Sequence, residues 1–186
     1  MGLSFTTIVR TSKQQIIINL SKIMKKFINV FIFLLALITP IVTTIKSIQF
    51  DQNCGGYLKQ AADANSVELA EQRLNLAIDY VEKHELTSGY TSVLWNTEDE
   101  NVEYWYNNLK QCQKELANTK NNSTLENTNV LMKLRESLTD VSDTGTSLTI
   151  PFGISRYPNN QLYALLNIIS GIILFIFCFT IFKPYA

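Results

Sequence analysis

The chain of 186 residues carries 16 basic and 16 acidic side chains and one histidine, with no net charge at neutral pH. The balance is only global: every acidic residue lies between Asp51 and Asp143, while nine basic ones lie between Asp51 and Arg156, leaving that stretch at −7. A surface so acidic repels phosphate and argues against a nucleic-acid partner, and about one small domain's worth of chain lies between the two apolar runs, too little for two cores.

Residues 1–23 are basic, rich in hydroxyls and free of acid, as a targeting presequence would be, and Met1, Gly2 and Thr6 match the bare myristoylation pattern. The plainer reading is a translation start at Met24, because MKKFINVFIFLLALI has the charged and apolar regions of a signal sequence. Small residues in an A-x-A arrangement do not follow it, so an uncleaved signal anchor is expected, with residues 1–26 as a basic cytoplasmic segment.

Residues 27–45 are 19 uncharged residues between Lys26 and Lys46, roughly 28 Å of helix at ~1.5 Å per residue, the thickness of a bilayer's hydrocarbon core. Residues 162–182 form a second uncharged run of 21, with residues 183–186 as a short tail. Two transmembrane helices are expected, and Asn29, Asn167 and Ser170 with Gly171 are candidates for packing them together. Lys22, Lys25 and Lys26 outweigh Lys46, so the positive-inside rule puts both termini in the cytoplasm. Residues 46–161 then lie outside, on a bacterial inner membrane or its equivalent.

That middle segment reads as helical. Gly55 and Gly56 should interrupt any continuation of the first membrane helix, with a short helix over 57–64 after them. Asn65 with Glu68 has the form of a capping box and opens a helix ending near Leu86, whose stripe is Val67, Ala70, Leu74, Ala77, Ile78 and Val81, widened by Leu69, Leu76 and Tyr80. Thr97 with Glu100 opens a second long helix, through about Asn118, with Val102, Trp105, Tyr106, Leu109, Cys112, Gln113 and Leu116 on one face. Ser123 with Glu126 opens a third, striped by Val130, Leu131, Leu134, Leu138 and Val141. Beyond it Gly145, Pro151, Gly153 and Pro158 forbid helix, and residues 147–150 alternate as one short strand that helps return the chain to the membrane. The fold class is mainly α: two transmembrane helices flanking a small extracytoplasmic helical bundle with one short extended segment.

Cys54 and Cys112 share the outer segment, where a disulfide is possible. One straight helix over 57–86 would hold them far apart and a break at Asn65 would bring them closer, while a packed thiol is the plainer reading of Cys112. Cys178 reads as a small apolar residue of the second anchor, and two separated cysteines with His84 make no metal-ligand cluster. Tyr90, Trp95, Tyr104 and Trp105, with Tyr106, are the candidates for a partner or ligand contact, against the alternative that they anchor a loop. Glu98, Asp99, Glu100 and Glu103 could attract a cation but are explained by the dipole of the helix they begin. Ser88, Ser92 and His84 lack the elbow and the oriented base of a hydrolase, so no catalytic residue and no cofactor is expected. Asn121 and Asn122 fit glycosylation acceptors, which matter only in a eukaryotic secretory compartment.

The stretches DQNCGGYLKQAADA, SGYTSVLW, NVLMKLRESL and GISRYPNN resemble an uncharacterised group of bacterial two-pass membrane proteins, cyanobacterial ones among them. The likeness runs from Met24 to the second anchor and implies the same architecture, with no known activity. The expected function is therefore an interaction or assembly component, not an enzyme, with the lipid bilayer and a membrane or extracytoplasmic protein as partners. The alternative is an outside ligand-sensing domain that signals through a partner protein, since residues 183–186 leave no room for an output module of its own.

Overall fold

The computed structural model describes residues 5–119, 123–143 and 145–181. Met1 and Gly2 of the acylation pattern, the acceptors Asn121 and Asn122, Phe182 and residues 183–186 lie outside the described residues. The chain divides into two units, Met1–Ile41 with Leu165–Ala186, and Val42–Ala164.

The first unit draws on two helices, α1 (Phe5–Phe50) and α6 (Asn160–Ile181). Both are long and apolar enough to cross a membrane, and only 6% of each apolar window is buried. Phe27, Phe31, Phe175 and Phe179 are 72%, 63%, 73% and 65% exposed, apolar surface of the kind that marks a membrane or protein contact. Residues 5–26 lie in the same continuous helix as 27–45. Pro40 lies within α1 and has no N–H to offer the carbonyl of Ala36, four residues earlier. Ser170 on α6 fills that place: its hydroxyl donates to the Ala36 carbonyl, and both residues are buried. Phe33 and Phe177 stack beside them, ring centroids 4.3 Å apart.

In the second unit Gly55 and Gly56 do not interrupt the helix, contrary to expectation. Both glycines keep helical backbone angles, and α1 passes through a π-helical turn, Asp51–Gly55, into α2 (Gly56–Ala62). The wider turn rotates the register and turns Cys54 inward, where it is fully buried with its Sγ 3.9 Å from the carbonyl of Ala77.

The break falls after α2. The next helix, α3 (Val67–Lys83), is capped by Ser66 and not by Asn65: Ser66 is extended and its Oγ accepts the Leu69 amide at 3.3 Å. The helix also stops at Lys83, short of Leu86, in a paired 6→1 and 5→2 closure from Leu86 N–H to Val81 O and Glu85 N–H to Glu82 O. Glu85 takes the left-handed position, φ 56°, where glycine is the usual residue, so the stop has no glycine signal. The six expected stripe residues of α3 are its buried residues.

A 3-10 turn (Glu98–Glu100) precedes α4 (Val102–Thr119), which is followed by α5 (Thr124–Leu138). The Ser123–Glu126 capping box is complete, each side chain bonding the other's backbone amide. Gln113, the polar residue within the α4 stripe, donates to Asn75 Oδ1 of α3 at 2.7 Å, so its amide is satisfied.

Val141 is the misplaced stripe residue. Thr139 turns extended at the end of α5, and Val141 stands 77% exposed on β1 (Thr139–Ser142), which pairs antiparallel with β2 (Gly145–Leu148) in the register Thr139 to Leu148. The strand expected at 147–150 is thus β2, the second half of this hairpin, which begins and ends two residues earlier. Leu58, Leu74, Ile78, Leu109 and Leu116 are fully buried where α3 packs on α2 and α4, and α5 on both of these. Each contributes on the order of 1.5–3 kcal/mol.

Candidate functional site

A cleft of about 1160 Å³ lies between α4, the hairpin and residues 149–151. Tyr90, Tyr104 and Trp105 line it, together with the carboxylates of Glu98, Asp99, Glu115 and Asp140, and no lysine or arginine is among the described residues of its wall. Three of the four predicted contact aromatics therefore meet there. The fourth, Trp95, does not; it lies on a separate, smaller pocket.

Backbone pairing holds the rim of the cleft. Tyr90 and Asn101 form an antiparallel bridge, Thr91 N–H donates to Glu100 O at 3.0 Å, and Val102 N–H donates to Gly89 O at 2.9 Å. Asn101 then starts α4, its Oδ1 accepting the Tyr104 amide at 3.0 Å, a role that sequence reasoning gave to Thr97. Thr97 and Ser92 instead both donate to Oε2 of Glu100, and these two bonds hold the Glu100 carboxyl below the usual carboxylate range. Gly89 has φ +95°, and a Cβ there would meet the Tyr157 hydroxyl at 2.1 Å, so the residue must be glycine.

The smaller pocket, about 250 Å³, is lined by Thr91, Trp95, Glu100, Phe152, Arg156 and Asn160 among others. It forms where residues 88–95 meet residues 153–160. Tyr157 Oη donates to Ser88 O at 2.6 Å, and Asn160 Nδ2 donates to Thr91 O at 2.7 Å and to Gly153 O at 3.1 Å. Two buried oxygens there, Thr91 Oγ1 and Asn160 Oδ1, have no hydrogen-bond partner among the described residues. Sequence reasoning missed both residues. Asn160 stands just before an apolar run, and the residue it pins lies 69 positions away.

Cys54 and Cys112 are both free thiols within one core. Burial, with the charge of Asp51 as a lesser cause, pushes the Cys54 thiol up to about 12, and burial also raises Cys112. Neither is a nucleophile at neutral pH. His84 packs on Tyr80 at a tilt of 37°, centroids 4.3 Å apart, while Ser92 gives its hydroxyl to Glu100. Glu82 joins α3 to α4 by accepting from Tyr106 Oη at 2.7 Å and Lys110 Nζ at 3.2 Å, which lowers its carboxyl and raises the Tyr106 phenol.

Set against models of protein families, against curated proteins and against solved structures, the chain matches none of them.

Proposed function

We propose that this is a two-pass integral membrane protein that presents an acidic helical bundle outside the cytoplasm as an interaction or assembly component. The cleft is the contact surface. The observation that carries this reading is the pairing of aromatic rings with four carboxylates in a cavity of about 1160 Å³ whose described wall has no basic side chain. That volume exceeds the usual range of small-molecule sites, about 300–1,000 Å³, and suits a segment of polypeptide. The charge requires the segment to be basic, and the rings offer faces to its lysine or arginine side chains.

The bare apolar surface of α1 and α6 supports membrane insertion, and the Lys22, Lys25 and Lys26 cluster supports a cytoplasmic amino terminus. The resemblance to bacterial two-pass membrane proteins fits the same arrangement. Reporters inserted near Asn121 and fused after Ala186 test the orientation: loop outside and tail inside are expected, and the reverse contradicts it.

Purification in mild detergent tests the function. A stoichiometric companion with a basic segment is expected, lost when Glu98 and Asp99 are both changed to lysine and retained by Trp95→Ala. Both acids lie on the exposed 3-10 turn, so the change spares the core. A companion indifferent to this charge reversal would contradict the cleft as the contact surface.

A further inference from the structure

We propose that the pocket between Thr91, Glu100, Arg156 and Asn160 binds the headgroup of a phospholipid that carries a primary ammonium group, of the phosphatidylethanolamine class. The inference rests on the reading that α6 crosses a bilayer. Asn160 and Ala164, which line the pocket, form the first turn of that helix. A helix that enters lipid after Gln161 carries its first turn at headgroup level. Lys46, at the end of the first apolar run, lies 5.6 Å over the ring of Tyr163, a lysine and tyrosine pair of the kind that marks the membrane interface.

The rim of the pocket is left uncovered by the described residues. Leu94, Trp95 and Phe152 are 81%, 71% and 77% exposed, although they stand beside a small polar cavity. Acyl chains and glycerol next to α6 would cover them, and an indole at the interface fits that environment.

The interior of the pocket selects the headgroup. Both N–H groups of the Asn160 amide are engaged with carbonyls, so its oxygen is the atom left over, and Asn160 is 93% buried. Thr91, 98% buried, has an equally unpaired hydroxyl. Oε2 of Glu100 takes two hydroxyl donors and leaves Oε1 to accept. Arg156 has no carboxylate partner among the described residues and lies against the Phe152 ring, 5.7 Å from its centroid. The site thus offers two acceptors, a hydroxyl and one guanidinium. A primary ammonium supplies N–H donors to Asn160 Oδ1 and Glu100, while its phosphate accepts from Arg156 and Thr91. Choline has no N–H and would leave Asn160 Oδ1 buried and unpaired. The headgroup of phosphatidylglycerol would satisfy Arg156 through its phosphate but bring no cation to Glu100. At about 250 Å³ the pocket holds a headgroup and is below the usual size for a drug-sized ligand.

The test counts lipids bound to the full chain by native mass spectrometry after exposure to equal amounts of phosphatidylethanolamine, phosphatidylcholine and phosphatidylglycerol. The wild type should retain phosphatidylethanolamine about tenfold over phosphatidylcholine, the effect of one buried hydrogen bond made or lost. Glu100→Gln should bring the ratio towards one, whereas Thr91→Val, which removes a donor to the phosphate that all three lipids share, should lower retention of each and leave the ratio near the wild type's. Thr91→Val removes only an unpaired hydroxyl, and should it fail to fold, Glu100→Gln decides alone. Equal retention of the three lipids by the wild type would overturn the proposal and leave the two oxygens to water. Free O-phosphoethanolamine binding as tightly as the lipid would overturn it in favour of a soluble ligand. Equal retention by a wild-type protein that stays in carbonate-washed membranes sinks this inference alone, whereas release from those membranes sinks the reading beneath it.

Discussion

The hydroxyl of Ser170 on α6 donates to the carbonyl of Ala36 on α1, the acceptor that Pro40 cannot serve because proline has no N–H. An unpaired carbonyl is costly where no water reaches it, so the serine and the proline form one device. Ser170→Ala should destabilise the helix pair by about 0.6–1.7 kcal/mol, the range for such bonds in membranes. In a Pro40→Ala background the alanine N–H restores the backbone bond and Ser170→Ala should cost little. Unfolding in detergent titrations measures the cycle, and additive effects of the two changes would disprove the coupling.

The start of α3 gives a second test, because Asn65 and Ser66 are adjacent and only one of them caps. Ser66→Ala should cost about 1 kcal/mol and Asn65→Ala close to nothing. Denaturant midpoints of the two variants decide it, and the opposite order would restore Asn65 as the cap.

At the other end of α3, Glu85 occupies a left-handed position with φ 56°. Glu85→Gly should raise stability by about 1 kcal/mol, since glycine takes that conformation without the Cβ clash. A fall in the thermal midpoint would contradict this reading.

Cys54 predicts a pH dependence. An ordinary thiol ionises near 9.0, whereas the buried thiol of the folded chain keeps its proton to about 12. The unfolded state therefore loses its proton first. The contribution of Cys54 to stability is complete below pH 9 and falls as pH rises from 9 to 12. Cys54→Ala should show a shallower alkaline decline than the wild type, as read from unfolding at stepped pH. In the native protein at pH 8, Cys54 should resist alkylation, and reducing and non-reducing gels should show equal mobility if Cys54 and Cys112 remain free.

What the sequence disclosed depends on the range of the forces involved. Periodic burial is a local signal repeated many times, so the stripe of α3 and the apolar runs of α1 and α6 were legible. The Ser123 capping box was legible for the same reason. Gly55 and Gly56 misled because a glycine's cost in a helix is about 1 kcal/mol, small beside the burial of Cys54 and Leu58 on either side of them. Val141 misled because its spacing from Leu138 suits a helix as well as the hairpin that Thr139 begins. Of the site, Tyr90, Tyr104 and Trp105 were named, but the separation of Trp95 from them depends on bonds from Tyr157 and Asn160, 69 residues from their acceptors. No local pattern marks such a contact.

The central claim is that two apolar helices hold this chain in a bilayer. Membranes containing the full protein, washed in alkaline carbonate and pelleted, test it most directly. The account predicts that the chain stays in the pellet and is released only by detergent; recovery of the intact chain in the carbonate supernatant would contradict it.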